Sequence, residues 1–140
     1  TRRWRGLSKG HPIAGMNPPV IDSLGQVALT VRDVTAAKHF YTVVLGLPLL
    51  FDAGPNLSFV SLGNVRLMIT TSQGAGEPGK NSTLYFRTGS VAELYAAVVG
   101  RGAKPEREPA LVAKLPDHEL WMAFVRDPEG NLVGLMEERR

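Results

Sequence analysis

The chain has 140 residues, contains no cysteine and carries a formal net charge of +3. This length supports one domain, or two small modules that share a core, and the lack of cysteine excludes disulfides and thiolate metal sites. No apolar run approaches the roughly 20 residues that a membrane helix needs.

The excess positive charge is confined to the start of the chain. Arg2, Arg3, Arg5 and Lys9 lie there, whereas all 13 acidic residues lie beyond residue 15. Residues 1–22, rich in Arg, Gly and Pro, predict a flexible basic tail, for which an anionic-surface anchor is the alternative. We expect no nucleic-acid or membrane partner and, without a secretion signal, a cytoplasmic location.

Residues 26–47 predict a strand that leads directly into a helix. Apolar and more polar residues alternate from Gln26 to Val31, which is typical of a strand. Asp33 fits an N-cap, and apolar residues then recur at helical spacing up to Leu45. Gly46 is placed to end the helix.

Three more strands follow, predicted over residues 49–52, 57–62 and 65–71. After a polar, glycine-rich linker the order repeats: a strand over 83–87, a helix over 91–99 and strands over 120–126 and 132–138. Two prolines and mixed charge in residues 105–114 predict only a short strand plus a loop.

The doubled β-α-β-β-β order predicts an α+β fold of two modules, 23–72 and 82–138, joined by the linker 73–81. Each curved, antiparallel-rich sheet would carry a helix on one face and leave a concave face open. We expect the two sheets to enclose a ligand cavity lined by Gln26, Arg66, Thr83 and Gly134.

The chain resembles the vicinal oxygen chelate superfamily, which includes glyoxalase I, bleomycin-resistance proteins and extradiol dioxygenases. The resemblance rests on five motifs and on their order and duplication. They are QVALTVRD (26–33), HFYTVVLGL (39–47), GNVRLM (63–68), RGA (101–103) and FVRDPEGNLVGLME (124–137).

This resemblance implies four positions for the ligands of a divalent metal, which would act as a Lewis acid. They fall on Gln26, Arg66, Thr83 (Ser82 if the register shifts by one residue) and Gly134. Arginine stays protonated and glycine has no side chain, so only Gln26 is an acceptable ligand. We therefore predict a degenerate site without metal or other cofactor, and a bound divalent metal is the alternative.

Another metal site would need Asp117, His118 and Glu119. These are neighbours in sequence, and we interpret them as a solvated loop.

Eight residues are candidates for ligand binding because their strand positions place them on or near the concave faces. Arg66 would anchor a carboxylate or phosphate, with an ion pair as the alternative, and packing in the core is the alternative for the aromatic residues and methionines. The candidates are Gln26, Arg66, Met68, Thr83, Tyr85, Arg87, Trp121 and Met136.

Three functions remain open at this point. The first is a small-molecule binding protein similar to the bleomycin-resistance members, with an organic ligand that can be anionic. The second is a metal-dependent lyase, isomerase or dioxygenase of the superfamily, and the third is an accessory or regulatory protein. Members of this fold are usually homodimers, so we expect a homodimer in each case.

Overall fold

The computed structural model describes residues 19, 21, 23–72 and 77–140. The predicted basic tail lies almost wholly outside these residues, as does the part of the predicted linker that covers 73–76. Within the described residues, no helix is long and apolar enough to cross a membrane.

The first module has the predicted β-α-β-β-β order. Its sheet has the strand order β1-β4-β3-β2, in which β1 and β4 are parallel and the other neighbours are antiparallel. The elements are β1 (Gln26–Thr30), α1 (Val34–His39), a π-helix (Phe40–Val44) that continues α1, β2 (Leu49–Asp52), β3 (Leu57–Leu62) and β4 (Val65–Thr70).

The second module repeats this topology. Its sheet has the order β5-β8-β7-β6, again with one parallel pair, β5 and β8. The elements are β5 (Leu84–Arg87), α2 (Val91–Gly100), β6 (Lys104–Lys114), β7 (Glu119–Arg126) and β8 (Leu132–Arg139).

The prediction of a short strand plus a loop over 105–114 is wrong, because β6 is an uninterrupted strand of 11 residues. It lies at the edge of its sheet, where Pro105 and Pro109 can be accommodated because one side of an edge strand makes no ladder bonds. Its pairing with β7 has three register shifts. Irregular pairing at an edge absorbs residues that a central strand could not.

The predicted helix caps are confirmed. The Asp33 side chain accepts a hydrogen bond from the Ala36 amide at 3.1 Å, and that of Ser90 accepts one from the Glu93 amide at 3.2 Å. Gly46 has a φ of 85°, a left-handed conformation that favours glycine where the first helix ends.

A single core joins the two modules. The buried cluster contains Val34, Phe40 and Tyr41 from the first helical segment and Val98 from α2, with inward-facing residues of both sheets. Because the two helices and the two sheets contribute to the same apolar cluster, the modules form one structural unit.

Glu129, in the β7–β8 turn, connects the second module to the first helix. Its side chain, only 6% exposed, accepts hydrogen bonds from the amides of Arg32 and Asp33 at 2.9 and 3.0 Å and pairs with the Arg32 guanidinium at 3.1 Å. A carboxylate at a helix N-terminus satisfies free amides and interacts favourably with the helix dipole.

We expect Glu129→Ala to lower the free energy of unfolding by about 1–2 kcal/mol, since the variant leaves these amides without their acceptor. Urea denaturation followed by circular dichroism measures the change. The matched control is Glu77→Ala, because Glu77 forms only an exposed pair with Lys80, whose loss costs about 0–0.5 kcal/mol. Equal effects of the two substitutions would contradict a capping role for Glu129.

Candidate functional site

The open face of the first sheet presents a polar pair in which Gln26 and Arg66 are direct neighbours on the parallel strands β1 and β4. The Arg66 guanidinium donates to the Gln26 Oε1 atom at 2.6 Å, and the Gln26 amide nitrogen lies 3.6 Å from the Met68 sulfur. Sequence alternation predicted this face correctly: Leu67 and Ile69 are buried, while Arg66 is exposed.

Two aromatic rings extend this polar pair across the sheet. The Arg66 guanidinium carbon lies 4.8 Å from the centroid of the Phe59 ring, and Phe59 stacks on Phe51 with centroids 4.6 Å apart. Phe51 is 47% exposed, so its ring is accessible from solvent. We call Gln26, Arg66, Phe59 and Phe51 the arginine platform. Phe51 and Phe59 were missed as site residues because apolar residues on a sheet usually pack into the core.

The open face of the second sheet is organised around Tyr85 and Gly134, which are direct neighbours on β5 and β8. The ring of Tyr85 covers Gly134 closely: a Cβ atom at residue 134 would overlap Cδ2 of the ring and would lie 2.8 Å from Cε2. Tyr85 also meets Phe124 edge-on, with centroids 5.9 Å apart. Thr83 lies just before β5 and is half-buried.

Met136 is on the same face as Tyr85, because it follows Gly134 by two residues on β8. Its cross-strand neighbour is Met122, and the neighbour of Gly134 is Phe124. The Arg107 guanidinium carbon lies 5.8 Å from the centroid of the Phe124 ring.

Trp121 lies on the opposite face of this sheet and so is separated from Tyr85 and Met136. It is paired with the buried Glu137 and packs partly against the core. The Arg139 guanidinium carbon lies 4.2 Å from its ring centroid, and its indole N–H donates to Glu119 at 3.0 Å. Trp121, one of the eight candidates, therefore does not lie on the open face of this sheet.

The residues at the four metal positions implied by the fold do not fit a divalent cation. Arg66 brings a positive charge to one position, and its partner Gln26 is already hydrogen-bonded to it. At another position Gly134 has no side chain, and the ring of Tyr85 lies over it. In the described parts of the chain, no group of three or more His, Asp or Glu residues is arranged to hold a metal.

Asp117 and His118 lie in the β6–β7 turn. The Asp117 carboxylate contacts the His118 Nδ1 atom at 2.7 Å and Arg140 at 3.0 Å, and its side chain is 70% exposed. Glu119 instead accepts from the indole of Trp121. Asp117 and His118 thus contact each other, whereas Glu119 contacts Trp121. The interpretation as a solvated loop holds for Asp117 only, because the His118 side chain is 13% exposed and Glu119 is the first residue of β7.

Gln26 and Arg66 belong to one sheet, and Tyr85 and Gly134 belong to the other. The residues expected around one cavity thus come from both sheets. A cleft of about 760 Å³ is lined by Tyr85 and Arg87, together with residues of the first module, but it does not include Gln26, Arg66, Met68, Thr83, Trp121 or Met136.

Known structures share this fold at low sequence identity. The antibiotic-binding protein TnmS3 from Streptomyces sp. CB03234 is 24% identical with a TM-score of 0.70, and the match covers 86% of this chain and 99% of that one. A lactoylglutathione lyase from Agrobacterium tumefaciens is 22% identical with a TM-score of 0.67, and the match covers 86% of this chain and 95% of that one. A virulence protein from Salmonella typhimurium is 21% identical with a TM-score of 0.69, and the match covers 85% of this chain and 98% of that one.

Comparison with curated protein sequences gives no match. A family model does match, and its description is Glyoxalase/Bleomycin resistance protein/Dioxygenase superfamily. The match spans residues 23–135, which is nearly all of both modules. The chain therefore belongs to the glyoxalase/bleomycin resistance protein/dioxygenase superfamily.

Proposed function

We propose that this protein binds a small aromatic anion on the arginine platform without the help of a metal. The observation that carries the proposal is the contact between Arg66 and Gln26 at 2.6 Å, with the guanidinium held over Phe59. A cation is thereby fixed where the superfamily's metal chemistry would need a ligand.

The chemistry of Arg66 favours an anionic group. In the described part of the chain, its guanidinium makes a single hydrogen bond, to Gln26. Since a guanidinium has five N–H donors, most of them remain available for a carboxylate, sulfonate or phosphate. Its exposed position lets such a group approach from solvent.

The neighbouring rings favour an aromatic body on the ligand. Phe51 and Phe59 already stack on each other, and the exposed ring of Phe51 can add a further flat group at the edge of this stack. Offset aromatic pairs contribute about 0.5–1.5 kcal/mol beyond the area that they bury. The protein of this fold from Streptomyces is an antibiotic-binding protein, which supports a binding role for the fold.

A second copy of the chain would enclose the platform. Leu49, Leu50 and Phe51 on the edge strand β2 are each close to half exposed, which leaves an apolar strip beside the platform. Apolar strips on edge strands favour association with another chain. We therefore propose a homodimer. Light scattering coupled to size-exclusion chromatography would measure its mass.

Calorimetric titration with 2-naphthoate, and with uncharged 2-naphthol as its match, tests the platform. We expect naphthoate to bind more tightly than naphthol, with an affinity that EDTA leaves unchanged. Arg66→Ala should weaken naphthoate binding about tenfold or more, because it removes charge-assisted hydrogen bonds. The control Lys80→Ala removes one positive charge from an exposed turn and should have no effect.

Elemental analysis of protein purified without chelators completes the test. A stoichiometric metal whose removal abolishes naphthoate binding would overturn the proposal in favour of a metal-dependent enzyme. Equal naphthoate affinities of the Arg66→Ala variant and the unchanged protein would show that the platform is not the site.

A further inference from the structure

The cleft of about 760 Å³ lies where the two modules meet, and none of the four residues of the arginine platform lines it. Its volume is in the range of roughly 300–1,000 Å³ that is usual for small-molecule sites. The residues from the first module lie at the start of β1, after the π-helix and around the β3–β4 turn, and those from the second lie on β5 and α2. They include Val27, Leu45, Leu47, Val65, Phe86 and Leu94.

The walls of the cleft are apolar and only partly covered by the protein. Leu45, Leu47, Phe86 and Leu94 pack against the common core with one side and remain half-buried. Transfer of such apolar surface out of water is favourable. An apolar chain in the cleft would therefore gain free energy by covering these residues.

Arg87 gives the cleft a positive charge that no described residue neutralises. The other arginines in the described part of the chain have a partner: Arg32, Arg66, Arg101, Arg126, Arg139 and Arg140 make hydrogen bonds, and Arg107 lies over a ring. Arg87 has neither kind of contact with the described residues, although it is next to an apolar wall.

We propose that this cleft is a second binding site, for an amphipathic anion whose hydrocarbon part lies in the cleft and whose acidic group pairs with Arg87. The charge complementarity and the apolar walls together select this class over neutral lipids and over small inorganic anions. The inference does not depend on the arginine platform, because Arg66, Gln26 and Phe51 are not among the residues of the cleft.

Calorimetric titration of the full chain with octanoate tests the site, with octanol as the uncharged match and inorganic phosphate as the anion without an apolar part. We expect saturable binding of octanoate, weaker binding of octanol and no measurable binding of phosphate. Arg87→Gln should weaken octanoate binding about tenfold, and Arg87→Lys should recover part of the affinity because it restores the charge.

Further variants show whether octanoate binds in the cleft or elsewhere on the protein surface. Leu94→Trp should reduce octanoate affinity by narrowing the cleft while Arg87 stays in place. Arg107→Gln, which removes an arginine outside the cleft, should leave octanoate affinity unchanged. Circular dichroism checks that each variant is folded.

Three results would overturn the proposal. The first is octanoate affinity that is equal in the Arg87→Gln variant and the unchanged protein. The second is octanol that binds as tightly as octanoate. The third is the lack of saturable octanoate binding.

Discussion

Replacement of Asp127 by alanine is expected to lower the free energy of unfolding by about 3–5 kcal/mol, because it leaves several buried donors without an acceptor. Asp127 is only 5% exposed. Its carboxylate accepts from the Tyr41 hydroxyl at 2.8 Å, from the Asn131 side chain and backbone amide at 2.8 Å each, and from the Glu129 amide at 2.9 Å.

The expected effect of Asp127→Ala is large because the hydrogen-bond network of Asp127 connects the two modules. Tyr41 belongs to the π-helix of the first module, whereas Asp127 and Asn131 belong to the β7–β8 turn of the second. The Asn131 side chain accepts from Asn81, which in turn exchanges two hydrogen bonds of 3.0 Å with the backbone of Thr30. The carboxylate is thus the centre of a polar connection between the modules.

Tyr41 remains a donor throughout the ordinary pH range. Burial, and after it the adjacent negative charge of Asp127, raises the pKa of the Tyr41 phenol far above its usual value. Tyr41→Phe should therefore remove one neutral donor from the Asp127 carboxylate. We expect it to lower the free energy of unfolding by about 1.5–3 kcal/mol, which is less than the effect of Asp127→Ala.

Urea denaturation monitored by circular dichroism measures both variants. Asp117→Ala is the matched control, because Asp117 is also paired in a turn of the second module but is 70% exposed, and its loss should cost at most about 1 kcal/mol. If Asp127→Ala were no more destabilising than Asp117→Ala, the buried network would not be the connection between the modules that its geometry indicates.

The second large effect concerns Gly134. We expect Gly134→Ala to destabilise the protein by about 1–3 kcal/mol, since the added methyl group would meet the ring of Tyr85 and force it off the sheet. The ring would then lose its edge-on contact with Phe124. In a Tyr85→Ala background the same substitution should be neutral or slightly stabilising, because alanine is less costly than glycine in a strand.

A double-mutant cycle on Gly134 and Tyr85, with the free energy of unfolding as the measured quantity, isolates this contact. Gly89→Ala is the control, because a Cβ atom at residue 89 would meet no atom within 4 Å and the backbone there is not left-handed. Additive effects of the two substitutions would contradict a direct dependence of the Tyr85 ring position on Gly134.

The fold could be predicted from the sequence because the features that specify its helices and strands are local in sequence. Asp33 and Ser90 cap the helices and Gly46 ends the first, and alternation along β1 and β4 assigns their faces. Strand β6 could not be predicted in the same way. Its prolines are unfavourable in a central strand but acceptable at an edge, and edge position is a property of the whole sheet.

The candidate site could be predicted only in part. Alternation along the strands placed Gln26 and Arg66 on the same open face, and in the structure they are in contact. The face of Trp121 was not evident, because the strand WMAFVR is apolar on both faces and has no period of two. The cleft beside Arg87 could not be foreseen, since it depends on how one module is placed against the other.

The common core also restricts how the two halves of the chain can diverge. Side chains from both repeats fill one volume, so a change of size at Val98 or Phe40 has to be accommodated by residues of both halves. The open faces carry no comparable restriction, because their side chains border on solvent. Proteins that descend from this fold can therefore change the residues of their open faces, and with them the ligand, while the core residues stay almost the same.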